Sequence, residues 1–360
     1  MRIVTIIGAR PQFIKSSVVS FELRKAGIDE LVIHTGQHYD KSMSAIFFSQ
    51  LGLPQPAYNL EVGSGSHAVQ TSKMLVGIEE VLLKEKPDLV LIYGDTNSTL
   101  AGALAASKIH IPVAHVEAGL RSHNMRMPEE INRLVADRLS SMLFTPTFIG
   151  KKNLLLEGFV KEKIFLTGDV MYDAAIHFSK SIHPDDLSID PNILNNPFVL
   201  ATIHRAENTD NPENLKGIIK ALKKISEQIR VILPLHPRTK RALQELDLNS
   251  SLSPSITVLE PLSYFDMIYL ESRAQVIVTD SGGVQKEAYF FRKPCITVRT
   301  ETEWQELIDT KWNSLVNPAD SDGIIDAFNK IMTPVDWPQL YGSGDASKKI
   351  VLSIDTYLRK

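Results

Sequence analysis

Short apolar runs rich in Val, Ile and Leu alternate along most of the chain with longer segments whose apolar positions return every three or four residues. Continuous apolar runs suit strands buried on both faces, and the helical period suits the segments that cover them, so the alternation predicts parallel βαβ units. In the first half, strands are expected at residues 3–7, 31–35, 89–93, 113–116, 142–145 and 164–167. The segment after the first of them, GARPQFIKSSVVSFELRKAG, puts Pro11 in a first helical turn and Gly27 where a helix should be capped.

The rhythm breaks over residues 179–197, where Pro, Asp, Asn and Ser replace the apolar pattern, and a second series follows at 198–203, 231–235, 256–259, 276–279, 296–299 and 314–316. The expected fold class is therefore α/β, with two Rossmann-like doubly wound domains, residues 1–180 and 181–343, facing a cleft. A terminal segment, 344–360, reads as a helix over 346–358 that could pack back on the first domain. In such sheets ligands bind beyond the carboxyl ends of the strands, so the polar residues just after each strand are the ones to examine.

Composition narrows the function. The 360 residues are 43% hydrophobic, enough for large cores, and 39 Lys and Arg against 42 Asp and Glu leave no basic footprint for nucleic acid or anionic lipid. The single cysteine, Cys295, lies in an apolar run and reads as a buried thiol of a reduced compartment. The opening MRIVTIIGARP is too short an apolar stretch for a signal peptide or membrane span, and a cytoplasmic protein is expected.

Candidate chemistry gathers at the strand ends. In TDSGGVQKEA, Ser281, Gly282 and Gly283 stand between a strand and a helix, where unpaired amides and the helix dipole can hold a phosphate; a capped tight turn explains the same residues. In GARPQFIK, Arg10 and Lys15 could grip phosphate oxygens from a helix start or be solvated surface cations. Asp95 and Glu117 each follow an apolar run where burial could separate their proton affinities, although Asp95 could equally cap a helix over 96–106. Glu129, after Pro128, could serve chemistry or merely satisfy the dipole. His204 with Arg205, His236 with Arg238, and His38 complete the set; a histidine beside an arginine suits a phosphate or a leaving-group oxygen. No HExxH pair or cysteine cluster supports a metal, and no GxGxxG follows the first strand to support a nicotinamide cofactor.

Taken in order, GARPQFIK (8–15), TGQH (35–38), GDTNST (94–99), HVEAGLR (115–121), PEEINR (128–133), HRAEN (204–208), LHPR (235–238) and TDSGGVQKEA (279–288) resemble the non-hydrolysing UDP-N-acetylglucosamine 2-epimerase family over almost the entire chain. The resemblance implies a glycosyltransferase-B-like fold, a UDP-sugar substrate, a homodimer, and neither metal nor other cofactor. It implies inversion of carbon 2 by elimination of UDP to a glycal and its re-addition, which needs acid and base groups at both ring faces and stabilisation of the departing diphosphate. By the same resemblance Asp95, Glu117 and Glu129 are proton-transfer and sugar-binding carboxylates, and His204, Arg10 and Lys15 serve the diphosphate. Ser281, Gly282 and Gly283 take phosphates, Glu287 accepts from the ribose hydroxyls, Arg133 and Arg205 are supporting cations, and His38 joins the binding set.

Two departures bear on the substrate. Where the family commonly reads RPE and TERPE, this chain reads Arg10-Pro11-Gln12 and Thr302-Glu303-Trp304-Gln305-Glu306, and the loop 39–42 lacks the glutamines that bind a second, activating substrate in some members. The same features are similar to the branch that converts UDP-2,3-diacetamido-2,3-dideoxyglucuronate to the mannuronate epimer for O-antigen. That substrate is favoured, with UDP-N-acetylglucosamine next; a glycosyltransferase of the same fold and a non-enzymatic sensor of UDP-sugars are the rivals.

Overall fold

The computed structural model describes residues 1–37, 48, 50–184, 187–248 and 255–359. The chain divides into two compact units, Met1–Ala174 with Gln339–Lys360, and Ala175–Pro338. The sequence places the break at 180 and the return at 344; the division falls a few residues earlier at both points.

The first unit runs β1 (Arg2–Ile7), α1 (Arg10–Lys25), β2 (Asp29–His34), β3 (Tyr58–Asn59), α2 (His67–Glu85), β4 (Leu89–Tyr93), α3 (Asn97–Lys108) and β5 (Val113–Val116). It continues through α4 (Pro128–Leu139), β6 (Met142–Thr145), α5 (Phe148–Leu156) and β7 (Ile164–Leu166), and α6 (Val170–Ser181) leads out of it. The strands form one parallel sheet in the order β3-β2-β1-β4-β5-β6-β7. The order reverses beside β1, whose Val4 pairs with Leu31 on one side and Val90 on the other. One face of this sheet buries Val4, Ile6, Val90 and Ile92 against Met74, Ile78 and Leu82 of α2 and the alanines of α3.

The second unit holds β8 (Phe198–Thr202), α7 (Ala206–Thr209), α8 (Pro212–Ile225), β9 (Arg230–Pro234), α9 (Pro237–Glu245), β10 (Ile256–Leu259) and α10 (Tyr264–Arg273). After them come β11 (Val276–Thr279), α11 (Gly282–Phe290), β12 (Cys295–Val298), α12 (Gln305–Asp309), β13 (Asn313–Val316) and α13 (Ser321–Lys330). Its parallel sheet has the order β10-β9-β8-β11-β12-β13. Both faces are apolar: Val199 and Ala201 join one core with Val231, Val278 and Ile296, while Phe198 and Leu200 join the other with Ile232, Ile277 and Cys295. A strand buried on both sides gives an unbroken apolar run, which is why these strands are visible in the sequence.

The chain then returns to the first unit as α14 (Ala346–Leu358), which packs on α1. Its start is tied by Asp173, whose carboxylate accepts from the amides of Ala346 and Ser347 at 3.1 and 2.8 Å and from the Ser347 hydroxyl at 2.6 Å. An acid at these donors satisfies both the open amides and the helix dipole.

Candidate active site

In a doubly wound sheet the crevice opens where the strand order reverses, and here that point lies between β1 and β4 in one unit and between β8 and β11 in the other. At the first, Gly8 leaves β1 so tightly packed that a Cβ on it would lie 2.0 Å from Thr35 Oγ1 and 2.3 Å from Ser98 Oγ. The amides of Gly8 and Ala9 donate to Gln12 Oε1 at 2.8 and 3.1 Å, and Gln12 Nε2 donates to the Tyr93 carbonyl at 2.8 Å, stitching β1 to β4. Gln12, a departure from the family's usual residue, is thus a buried structural amide. Arg10 is exposed at the start of α1.

One turn further along α1, Lys15 Nζ forms an ion pair with Glu117 Oε2, both side chains largely buried. Glu117 follows β5 with φ of 74°, the left-handed region. A residue with a Cβ held there costs about 1–2 kcal/mol, and such conformations gather at functional sites. The turn is fixed from behind, because the amides of Glu117 and Ala118 both donate to the Phe144 carbonyl and Gly119 packs against α5 so closely that a Cβ would lie 2.4 Å from the Gly150 oxygen.

Asp95 does not cap α3; Thr96 does, its hydroxyl accepting from the Thr99 amide at 3.4 Å. Asp95 Oδ2 instead pairs with Arg133 at 2.6 Å, and Asn132 Nδ2 holds the Asp95 carbonyl at 2.9 Å. Asp95, Glu117, Lys15 and Arg133 therefore belong to adjoining loops and helices around one switch point, each carboxylate matched to a cation.

Of the two glutamates that open α4, Glu130 is the one absorbed by structure. It is buried and accepts from the Ser122 amide and hydroxyl, the His123 amide and Arg133. Burial alone would raise its pKa, but these bonds and Arg133 outweigh it and hold the carboxyl below its usual value. Glu129 is exposed and, among the described residues, has neither a hydrogen bond nor an ion pair. His38 lies outside the described residues, as does the loop 39–42.

At the second switch point Ser281 caps α11 and Gly282 and Gly283 form its first turn. Among the described residues neither glycine amide has a protein acceptor, and a Cβ on Gly283 would meet nothing nearer than Ser281 Oγ at 3.8 Å, so the turn is uncrowded at Gly283. The capped turn and the amide cradle are thus the same object. Glu287 sits one turn on, buried in α11. His204 Nδ1 lies 3.1 Å from Asp280 Oδ1, which leaves Nε2 as the outward nitrogen of a half-exposed ring. Arg205 pairs with Glu303 at 3.3 Å, and Glu303 also takes Arg299 at 2.8 Å.

Several residues that matter to this geometry escape sequence reasoning. Asp280 accepts from the amides of His204 and Arg205 and from Asn208 Nδ2, knotting the loop after β8 to the end of β11. Burial pushes its pKa up, yet those donors and His204 hold it below the ordinary value. Behind Glu117, fully buried His115 lies 2.7 Å from both Asp137 Oδ1 and the Gly94 carbonyl, and Arg121 joins Asp137 at 2.8 Å. Asp137 shares the buried face of α4 with Glu130, Asn132 and Ala136, a face too polar for apolar periodicity to mark. His236, by contrast, is the histidine that the LHPR motif already marks, and its Nδ1 accepts from the Arg238 amide at 3.2 Å. Burial, then His204 and Arg238, lower its pKa and favour the neutral ring. Among the described residues no group of three or more His, Cys, Asp or Glu side chains could hold a metal ion. Nor is any helix there long and apolar enough to cross a membrane.

Acids paired with cations at one switch point suit proton transfer, and open amides beside a histidine at the other suit a diphosphate. The chain belongs to the UDP-N-acetylglucosamine 2-epimerase family, which its residues 22–355 match. It is 51% identical, over 97% of its length and 98% of the relative's, to a UDP-2,3-diacetamido-2,3-dideoxy-D-glucuronate 2-epimerase of Pseudomonas aeruginosa. The crystal structure of Methanocaldococcus jannaschii UDP-GlcNAc 2-epimerase in complex with UDP-GlcNAc and UDP matches with TM-score 0.82 and 44% identity, covering 99% of this chain and all of that one. A glycosyltransferase from Rickettsia africae, 14% identical, covering 99% of this chain and 96% of that one with TM-score 0.59, shares the fold alone. The family consists of non-hydrolysing UDP-sugar 2-epimerases, so the chain is an isomerase, and the epimerase reading prevails over a glycosyltransferase.

Proposed function

We propose that the protein inverts carbon 2 of UDP-2,3-diacetamido-2,3-dideoxyglucuronate, giving the mannuronate epimer, with UDP-N-acetylglucosamine as the second substrate to test. The observation that carries the chemistry is the pair Asp95 and Glu117 at the ends of neighbouring strands, each held by its own cation. The choice of sugar rests on the Pseudomonas aeruginosa relative, and on Trp304 standing where the family commonly has arginine; a UDP-N-acetylglucosamine 2-epimerase homolog at the same 51% identity keeps the second sugar in the test.

In this reading a carboxylate among Asp95, Glu117 and Glu129 removes the proton at carbon 2. The bond from carbon 1 to the phosphate oxygen breaks, its electrons leave with UDP, and a 2-acetamidoglycal forms. Protonation of carbon 2 on the other face and return of the diphosphate to carbon 1 complete the epimer without net consumption of anything. Lys15, Arg133 and Arg10 offset the charge of the acids and of the departing group. The amides of Gly282 and Gly283, beside Ser281, and His204, oriented by Asp280, receive the diphosphate, and Glu287 accepts from the ribose.

The working form is taken to be a cytoplasmic homodimer whose product feeds surface-polysaccharide assembly. Helix α2 supports the dimer: Val69, Val76 and Leu83 stand 47, 60 and 55% exposed at seven-residue spacing. An antiparallel pairing of two copies about Val76 sets Val69 opposite Leu83 and Lys73 opposite Glu79, so the face is self-complementary in apolar pattern and charge.

Incubation with either UDP-sugar in deuterated water tests the reaction. Deuterium at carbon 2 without any acceptor is expected, together with a mixture of epimers; sugar recovered unlabelled from both substrates would overturn the proposal. Faster exchange into the diacetamido uronate decides the substrate.

A further inference from the structure

Trp304 occupies a place that the chemistry above leaves unexplained. Its indole Nε1 donates to the Gly282 carbonyl at 2.9 Å, and the Lys286 ammonium lies 4.6 Å from the centre of its ring. A Cβ built on Gly282 would stand 3.5 Å from Nε1, 3.7 Å from Glu303 Oε2 and 3.8 Å from Arg205. The indole is therefore pressed against the first turn of α11, beside the two open amides, and is held there in turn. The Trp304 amide donates to Thr302 Oγ1 at 3.2 Å, and the Thr302 hydroxyl donates to Gln285 Oε1 at 2.7 Å. Asn313 Nδ2 reaches the same Gln285 oxygen at 3.0 Å from β13, while Thr297 of β12 donates to Asn313 Oδ1 at 2.8 Å. A buried polar chain thus runs from two strands of the sheet, through Thr302, to an indole that clasps the glycine turn.

A glycine pair gives a phosphate close access but holds its own backbone weakly, since glycine has the most conformations to lose. A clasp from outside the helix removes that freedom without placing a side chain in front of the amides. We propose that Trp304 is a positioning residue for nucleotide binding: it fixes the Gly282-Gly283 turn and the Lys286 side chain in the geometry that receives the diphosphate. This rests on the proposed role of residues 281–283. The indole stabilises the empty site, so its effect falls on affinity and not on the proton-transfer step.

Calorimetric titration of UDP and steady-state epimerisation of wild type, Trp304→Phe and Trp304→Leu test this. Phe keeps a ring for Lys286 and loses the N–H; Leu loses both. UDP affinity is expected to fall about tenfold in Trp304→Phe, the worth of one well-placed hydrogen bond, and further in Trp304→Leu, with KM rising in parallel and kcat within about twofold. Thr302→Val, which loosens the clasp without touching the indole, should weaken UDP in the same direction and guards against a folding defect at 304. UDP affinity within about twofold of wild type in all three variants, or kcat falling at constant affinity, would overturn the inference. Wild type failing to bind UDP at all would instead sink the proposed function.

Discussion

At the scale of single residues, the fold decides among readings that the sequence leaves open. Asp95 has two plausible employments, and the structure gives the cap to Thr96 and Asp95 to Arg133. The adjacent glutamates of PEEINR look alike in sequence, yet Glu130 is enclosed by donors and Glu129 stands exposed. Glu117 in its left-handed turn reaches Lys15, about a hundred positions away in the chain, which no local pattern could reveal. Asp95→Asn and Glu117→Gln are each expected to lower turnover by about two to four powers of ten, with circular dichroism and melting temperature close to wild type. Turnover near wild type in either variant removes that residue from the reaction.

At the scale of elements, the apolar runs mark the central strands because both of their faces are buried, whereas β3, two residues at the sheet edge, leaves no run to notice. Helix α14 is legible as a helix, but what holds its start is Asp173, remote in sequence. The packing of α10 on α11 produces a feature with a measurable consequence. Glu271 is fully buried, its carboxyl oxygens have no hydrogen-bond partner among the described residues, and Glu287 lies close enough to repel it. Burial first, and Glu287 second, raise its pKa well above the ordinary value; the same surroundings push the Cys295 thiol up to about 12. An acid whose folded pKa is raised holds a proton that the unfolded chain releases. Its stabilising effect is complete below the ordinary glutamate value of about 4.3 and is lost as pH climbs towards the raised one. Glu271→Gln, which is neutral throughout, should therefore melt higher than wild type at pH 8 and alike at about pH 4. A gap that stays constant with pH, or reverses, would show that Glu271 is ionised in the fold.

At the scale of the whole molecule, the stripe on α2 predicts assembly. Val76→Glu would set two like charges at the centre of a self-paired helix, and it is expected to halve the mass measured by light scattering at micromolar concentration. A monomeric wild type, or a variant that keeps the wild-type mass, argues against this face. The sequence by itself determined the α/β class, the two series of strands, the terminal helix and the glycine-rich helix start, because each depends on the period of apolar residues or on turn chemistry within a few positions. The order of the motifs carried the family. Only the tertiary structure decided which acids are matched to which cations, that Asp280 aims His204, and that Trp304 clasps Gly282. Those contacts join residues tens of positions apart, brought together because each parallel sheet reverses its strand order at one place and gathers there the loops that follow its strands.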